Sequence, residues 1–263
     1  MTGRDLPPRE IDSPSRRSYQ AVMTDAIATR SSTNILFFAG ALLAASHLAN
    51  EWVKLDLPLG PIWKCSGIVV LGLYALSQRA ILLGLGLLLS AVGDVLLELK
   101  GLFVGGMAAF GLAHVFYTAI FVSIIRRDGL NKSGWPFAVA VFAAMIALGL
   151  WFAPGQAEMG LTIPATAYSV IISIMVISAV MSKAPLMAKL GAVIFMLSDT
   201  LIAVGMFAKQ PVPIGSVWIT YAAAQIMLAW SLSRRPYAAG QSRAPNSADP
   251  TRTLVAPNST AIS

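Results

Sequence analysis

Two aspartates lie where a charge needs a reason. Asp94 sits within Gly86 to Glu98 (GLLLSAVGDVLLE) and Asp199 within Lys189 to Phe207 (KLGAVIFMLSDTLIAVGMF), runs otherwise apolar enough to cross a bilayer. Ionisable groups inside membrane helices are costly, face a bundle interior or a wet cavity, and mark candidate functional sites. Gly86, Ser90, Asp94 and Glu98 follow one another at i+4, one stripe of a helix. Gly191, Ser198 and Asp199 bring the same small, polar and acidic set to the second run. Such a stripe also reads as a packing seam, because small residues let membrane helices approach and Ser or Asp can bond a neighbour. Its chemical reading is acid-base work. Two carboxylates in one low-dielectric cavity can divide the roles, since the lack of water and the neighbouring charge keep one protonated while the other stays ionised. That suits reactions passing through an oxocarbenium ion, where one group delivers a proton and the other steadies the cation or activates water.

Other polar residues fall in similar runs. His114 and Tyr117 lie three apart in FGLAHVFY, Tyr168 is followed by Ser169, Tyr221 and Gln225 stand at i+4 in TYAAAQ, and Lys64 opens another apolar run. Taken singly, each is the kind of group that makes an interhelical hydrogen bond. With only His47 and His114 in the chain, a zinc site of several histidines is impossible, and no metal or cofactor is expected. A GxSxG elbow, an HExxH helix and a glycine-rich phosphate loop are all absent from the sequence, which argues against a serine nucleophile. Cys65 is the single cysteine and forms no intramolecular disulfide.

The elements that must position these residues are membrane helices. Apolar residues make up 56% of 263 and charged residues 12%, against about 25% charged in a soluble domain. The expectation is all-α: a polytopic transmembrane bundle of eight spans over 34–50, 61–78, 80–98, 103–125, 135–153, 161–182, 187–207 and 214–232. Residues 1–33 and 233–263 have the Pro, Ser, Arg and Ala bias of disordered tails. The first 33 residues contain no apolar h-region, so no cleavable signal peptide is expected. Most prolines fall at span ends, with Pro164 the one inside a span, in its first turn. Trp52, Trp63, Trp135, Trp151 and Trp218 lie near span ends, as an interfacial belt requires.

Lys and Arg set the orientation. By loop parity the N-tail, Arg79, Arg126, Arg127, Lys132, Lys183, Lys189 and the C-tail carry 15, against 4 (Lys54, Lys64, Lys100, Lys209) on the other face. Both termini are therefore expected to be cytoplasmic. The basic residues form no patch with interleaved aromatics, so the formal charge of +7 implies no nucleic-acid partner. In this topology Asp94 and Asp199 lie about 21 and 18 Å from the cytoplasmic end at roughly 1.5 Å per residue. Lys64, His114, Tyr168 and Tyr221 lie about 5, 16, 10 and 10 Å from the outer end on the same rise. One polar cavity open toward the outer leaflet is expected. A shift of 105 residues superposes Leu85-Gly86 on Leu190-Gly191, Gly93-Asp94 on Ser198-Asp199 and Leu96 on Leu201. This echo suggests a parallel repeat of four spans per half, an arrangement that places sites between the halves.

The set GLLLSAVGDVLLE, FGLAHVFY, GAVIFMLSDTLIA and TYAAAQ, in that order and register, resembles the YhhN family of eight-span membrane proteins, the lysoplasmalogenases, over about residues 35–232. Lys64 resembles a family Lys-Pro, with Cys65 in place of the proline. The resemblance implies hydrolysis of the vinyl ether bond of a lysoplasmalogen, a lysophospholipid, to a fatty aldehyde and glycerophosphocholine or glycerophosphoethanolamine. It makes Asp94 and Asp199 the expected catalytic pair, with Ser90, Ser198, His114 and Tyr117 orienting them or the water. Tyr168, Tyr221 and Gln225 are expected to line the cavity and Lys64 to hold the phosphate. Midplane carboxylates in a parallel repeat also suit a proton- or ion-coupled carrier of small molecules or lipids, which would more often break its helices at mid-depth. A purely structural scaffold leaves two buried acids unexplained. Short loops and Ala-rich spans suggest a bacterial inner membrane.

Overall fold

A computed structural model describes residues 34–233, and every long element among them is an α-helix. In chain order they are α1 (Asn34–Val53, with a 3-10 turn at His47–Ala49), α2 (Leu59–Ser77), α3 (Ile81–Glu98) and α4 (Phe103–Asp128). Then follow α5 (Trp135–Glu158), α6 (Thr162–Met181), α7 (Leu186–Met206) and α8 (Ser216–Leu232). Helices α1 to α7 are long and apolar enough to cross a membrane, and α8 is an apolar helix of 17 residues, the lower end of the length a bilayer crossing needs. The all-α bundle expected from the hydropathy pattern is therefore the architecture observed. Both expected tails lie outside the described residues, except for Ser233.

Lipid is as apolar as leucine, so helices in it associate through close packing and hydrogen bonds rather than by escaping water. The packing forms a closed ring: α2 lies on α3, α3 on α4, α4 on α6, α6 on α7, α7 on α8, and α8 back on α2. Helix α1 leans on the ring from outside. A Cβ on Gly67 of α2 would strike the Ala44 backbone of α1, and Trp218 Nε1 of α8 donates to the Ala44 carbonyl at 2.8 Å. Helix α5 packs along α6. Advancing α2 and α3 by 105 residues lands on α6 and α7, except that Ser77 falls one residue past α6, and the α4–α6 contact then corresponds to the α8–α2 contact. The two halves thus repeat their packing as well as their sequence echo.

Helix ends lie within three residues of expectation except at α5. Helix α5 does not stop at Pro154 but passes through it to Glu158. Proline removes one helix hydrogen bond, a cost of about 3 kcal/mol in a helix interior, and this proline lies only one turn from the helix end. The extra turn seats Gly155 against the Phe207 backbone, where a Cβ would collide, and turns Gln156 inward, 3% exposed. Phe195 on α7, fully buried, is the hub of the ring's interior. Its ring centroid is 4.7 Å from that of His114, 5.4 Å from Tyr221, and 6.3 Å from both Phe110 and Tyr117.

Candidate active site

A cavity of about 370 Å³ occupies one end of the bundle, where α1, α3, α5 and α7 finish and α2, α4, α6 and α8 begin. Asp94 and Asp199 both line it. Each sits in the mouth-side half of its helix, one turn beyond a buried serine or phenylalanine that anchors the same face: Ser90 before Asp94 and Phe195 before Asp199. The two carboxylates receive tyrosine hydroxyls. Tyr221 on α8 donates to Asp94 Oδ2 at 2.7 Å, and Tyr168 on α6 donates to Asp199 Oδ2 at 2.5 Å. Asp94 is 3% exposed and the Asp199 side chain 17%.

Asp199 has a further neighbour. His114 Nε2 lies 2.9 Å from the Tyr168 hydroxyl and 3.4 Å from Asp199 Oδ2. Because Tyr168 spends its only proton on Asp199, the histidine must be the donor to the phenol oxygen, which places its hydrogen on Nε2. Nδ1 is then a buried acceptor with no partner among the described residues. His114, Tyr168 and Asp199 form a compact triangle between the aromatic core and the cavity wall.

The cavity has two poles. On one side His47, Asn50, Glu51, Lys64 and Glu98, from α1, α2 and α3, make a polar rim. Lys64 Nζ contacts Glu98 Oε1 at 2.6 Å there, with side chains 20% and 44% exposed. On the other side stand Met145, Leu148, Gly149 and Phe152 of α5 with Ile172 of α6 and Met196 of α7, a mostly apolar arm that also carries Ser169 and Ser173 of α6 and Thr200 of α7. The two aspartates stand between the poles.

The remaining expected residues take other positions. Gln225 does not line the cavity. It is fully buried and accepts the Tyr117 hydroxyl at 3.0 Å through Oε1, leaving Nε2 unpartnered. Tyr117 is displaced from the cavity by the same contact and by Gly86, whose missing side chain makes room for its ring. Ser90 Oγ donates to the Gly86 carbonyl of its own helix at 3.0 Å, and Ser198 Oγ, at the cavity wall, donates to the Val217 carbonyl at 3.0 Å. Both serine hydroxyls therefore spend their proton on backbone, a local satisfaction that buried serines in helices commonly adopt.

Gln156 and the α5 arm are not marked by the sequence, and Glu98 stands there on the Asp94 stripe without its Lys64 partner. Proline before Gln156 reads as a helix end, and nothing in the hydropathy of α5 separates its cavity face from its lipid face. Among the described residues, no group of three or more His, Cys, Asp or Glu could hold a metal ion.

The chain is similar to known proteins over most of its length. The YhhN family model matches residues 59–232. A lysoplasmalogenase of Mycobacterium bovis is 34% identical over 180 residues, covering 65% of this chain and 69% of that one. Lysoplasmalogenase TMEM86B of Sus scrofa is 32% identical over 199 residues, covering 70% and 81%, and that of Mus musculus 30% over 208 residues, covering 76% and 88%. No solved structure matches. The match across all but the first helix, with relatives that align over most of their own length, leads to one conclusion: this integral membrane protein belongs to the YhhN family.

Proposed function

We propose that the protein is a lysoplasmalogenase-type hydrolase that cleaves the vinyl ether bond of a lysoplasmalogen. The observation that carries this reading is the order of groups along one cavity: a polar rim with Lys64 and Glu98, then Asp94 and Asp199, then a mostly apolar arm. A lysolipid has the same order of head group, scissile bond and single chain. The names of the family relatives support the assignment.

The chemistry needs two groups. A carboxylic acid protonates the alkene carbon farther from the ether oxygen, and the positive charge appears on the adjoining carbon as an oxocarbenium ion. Water adds to that carbon while a carboxylate takes up its proton, and the resulting hemiacetal collapses to aldehyde and the glycerol hydroxyl. Asp94 and Asp199 fill these two roles. In both, the tyrosine engages Oδ2, so Oδ1 is the atom available to substrate or water. Tyr221 and Tyr168 hold the carboxyl planes in place, and His114 holds Tyr168. Lys64 takes the phosphate, exchanging its exposed partner Glu98 for the ligand.

Orientation follows from charge. Among the described residues, the face at the cavity mouth carries Glu51, Lys54, Asp56, Lys64, Glu98, Lys100, Glu158 and Lys209, four acids and four bases. The opposite face carries Arg79, Arg126, Arg127, Lys132, Lys183 and Lys189 against Asp128 alone. Retained positive charge marks the cytoplasmic side, which supports cytoplasmic termini and a cavity opening outward from a bacterial inner membrane. The test is aldehyde release from lysoplasmenylcholine by the purified protein, beside folded Asp94→Asn and Asp199→Asn variants. No aldehyde from the wild type with any lyso-ether lipid overturns the hydrolase and favours a carrier using the same carboxylates.

A further inference from the structure

We infer that Ser169 and Ser173 of α6 hold the attacking water against Asp199. The inference rests on the hydrolase reading, in which water must reach a cation formed among apolar helices. The two serines differ from most hydroxyls of the bundle. A serine or threonine in a membrane helix commonly donates to a carbonyl one turn back, as Ser66, Ser90, Ser123 and Thr200 do. Ser169 and Ser173 make no hydrogen bond to any described residue, yet both line the cavity and Ser173 is only 3% exposed. A buried hydroxyl without a partner is costly, so the partner of these two comes from the cavity.

Their spacing suits one small polar molecule. At i and i+4 the two Cβ atoms lie about 5–6 Å apart on one face of the helix. A single water bonded to each hydroxyl at about 2.8 Å spans that gap. Buried waters take about two to four polar partners, and Asp199, open to the cavity with Oδ1 uncommitted, supplies the third.

The chain places Asp199 beside them. Tyr168 lies 13 residues before the end of α6 at Met181, and Asp199 lies 13 residues after the start of α7 at Leu186. Equal counts from the same face put both at one level, where the tyrosine hydroxyl meets the carboxyl. Ser169 adjoins Tyr168, and Ser173 lies one turn deeper than Ser169, roughly 6 Å. Cα–Cβ bonds tilt toward the N-terminus of their helix. Helix α7 starts at the far face and α6 at the mouth, so the Asp199 carboxyl leans away from the mouth and the serines lean back toward it. The polar atoms of the lipid belong to the rim at Lys64 and its chain has none, which leaves water as the reactant that two hydroxyls fit at this depth. As its oxygen bonds the oxocarbenium carbon, this water gives its proton to Asp199. The acid that protonates the alkene is then Asp94.

The experiment gives the full chain lysoplasmenylcholine in water–methanol mixtures. Methanol that captures the cation bonds through its oxygen and loses its proton to the carboxylate, forming a mixed acetal that keeps the glycerophosphocholine; water yields aldehyde. Replacing both serines, Ser169→Ala with Ser173→Ala, should raise the ratio of mixed acetal to aldehyde at least about fivefold, the factor of one neutral hydrogen bond. Thr166→Ala, exposed on the same helix, should leave the ratio as in the wild type. A wild-type ratio in the double variant overturns the seat even if kcat falls, because a structural loss slows both products alike. A crystal structure of the full chain supplies a second readout, an ordered water within about 3 Å of both hydroxyls. If the wild type forms neither product, the hydrolase reading fails, and the crystal structure still decides the seat: no ordered water between Ser169 and Ser173 overturns it.

Discussion

Tyr221 and Asp94 are 127 residues apart in the chain and 2.7 Å apart in the fold, the tyrosine hydroxyl donating to Oδ2 of the carboxyl. The contact ties α8 to α3 across the ring and is the one side-chain hydrogen bond that holds Asp94 in place among the described residues. Tyr221→Phe keeps the ring and its packing against Phe195, Phe110 and Trp218. A hydrogen bond to a charged group contributes roughly 1.5–3 kcal/mol. We expect kcat to fall about ten- to a hundredfold with KM little changed, measured as aldehyde release. An unchanged kcat would mean that Asp94 needs no such positioning.

Asp94→Asn and Asp199→Asn should each lower kcat by at least about a hundredfold, the scale of a positioned acid or base. The double variant should be little worse than either single, because groups acting in one proton-transfer sequence are not additive. Additive losses in the four-enzyme comparison would separate the two carboxylates into independent tasks.

His114 and Tyr168 both stand against Asp199 Oδ2, the histidine Nε2 at 3.4 Å and the hydroxyl at 2.5 Å, and touch each other at 2.9 Å, so the two should act on the carboxylate as one unit. His114→Phe and Tyr168→Phe singly should each cost about tenfold in kcat, and the pair together little more than one alone, as coupled neighbours behave. If the two losses multiply, the pair is not a unit.

Lys64 stands at the polar rim, away from the reacting bond. Lys64→Met should raise KM about tenfold and leave kcat nearly unchanged, the signature of binding shared by ground and transition states. The Lys64–Glu98 pair is partly exposed, so Glu98→Gln should change stability by about 1 kcal/mol or less. A kcat effect from Lys64→Met would place the lysine in the chemistry instead.

Phe195 has no polar atom and contacts no substrate atom in this scheme, yet four rings of the site rest on it. Phe195→Ala should destabilise the bundle by about 3–5 kcal/mol, the range for a buried phenylalanine, read as a fall in unfolding temperature in detergent. Retained stability with normal activity would show that the rings hold one another without it.

Much of this was legible in the sequence, because the relevant physics is local or nearly so. A carboxylate inside a run otherwise apolar enough to cross a bilayer is costly whatever surrounds it, which is why Asp94 and Asp199 are legible from the sequence alone. Helix count and length follow from the thickness of the bilayer, and i+4 spacing put Ser90 and Asp94 on one stripe. What one helix cannot specify is which neighbour it will face. The ring order, the Tyr221–Asp94 and Tyr168–Asp199 pairings, the withdrawal of Gln225 and Tyr117 from the cavity, and the meeting of Lys64 with Glu98 all depend on the rotation of each helix about its axis. That rotation is set by where small residues such as Gly67 and Gly86 let another helix or ring come close. Pro154 makes the same point at a helix end: its local effect is to stop α5, and the seat of Gly155 on Phe207 overrides it, delivering Gln156 to a site the sequence had placed beyond the helix.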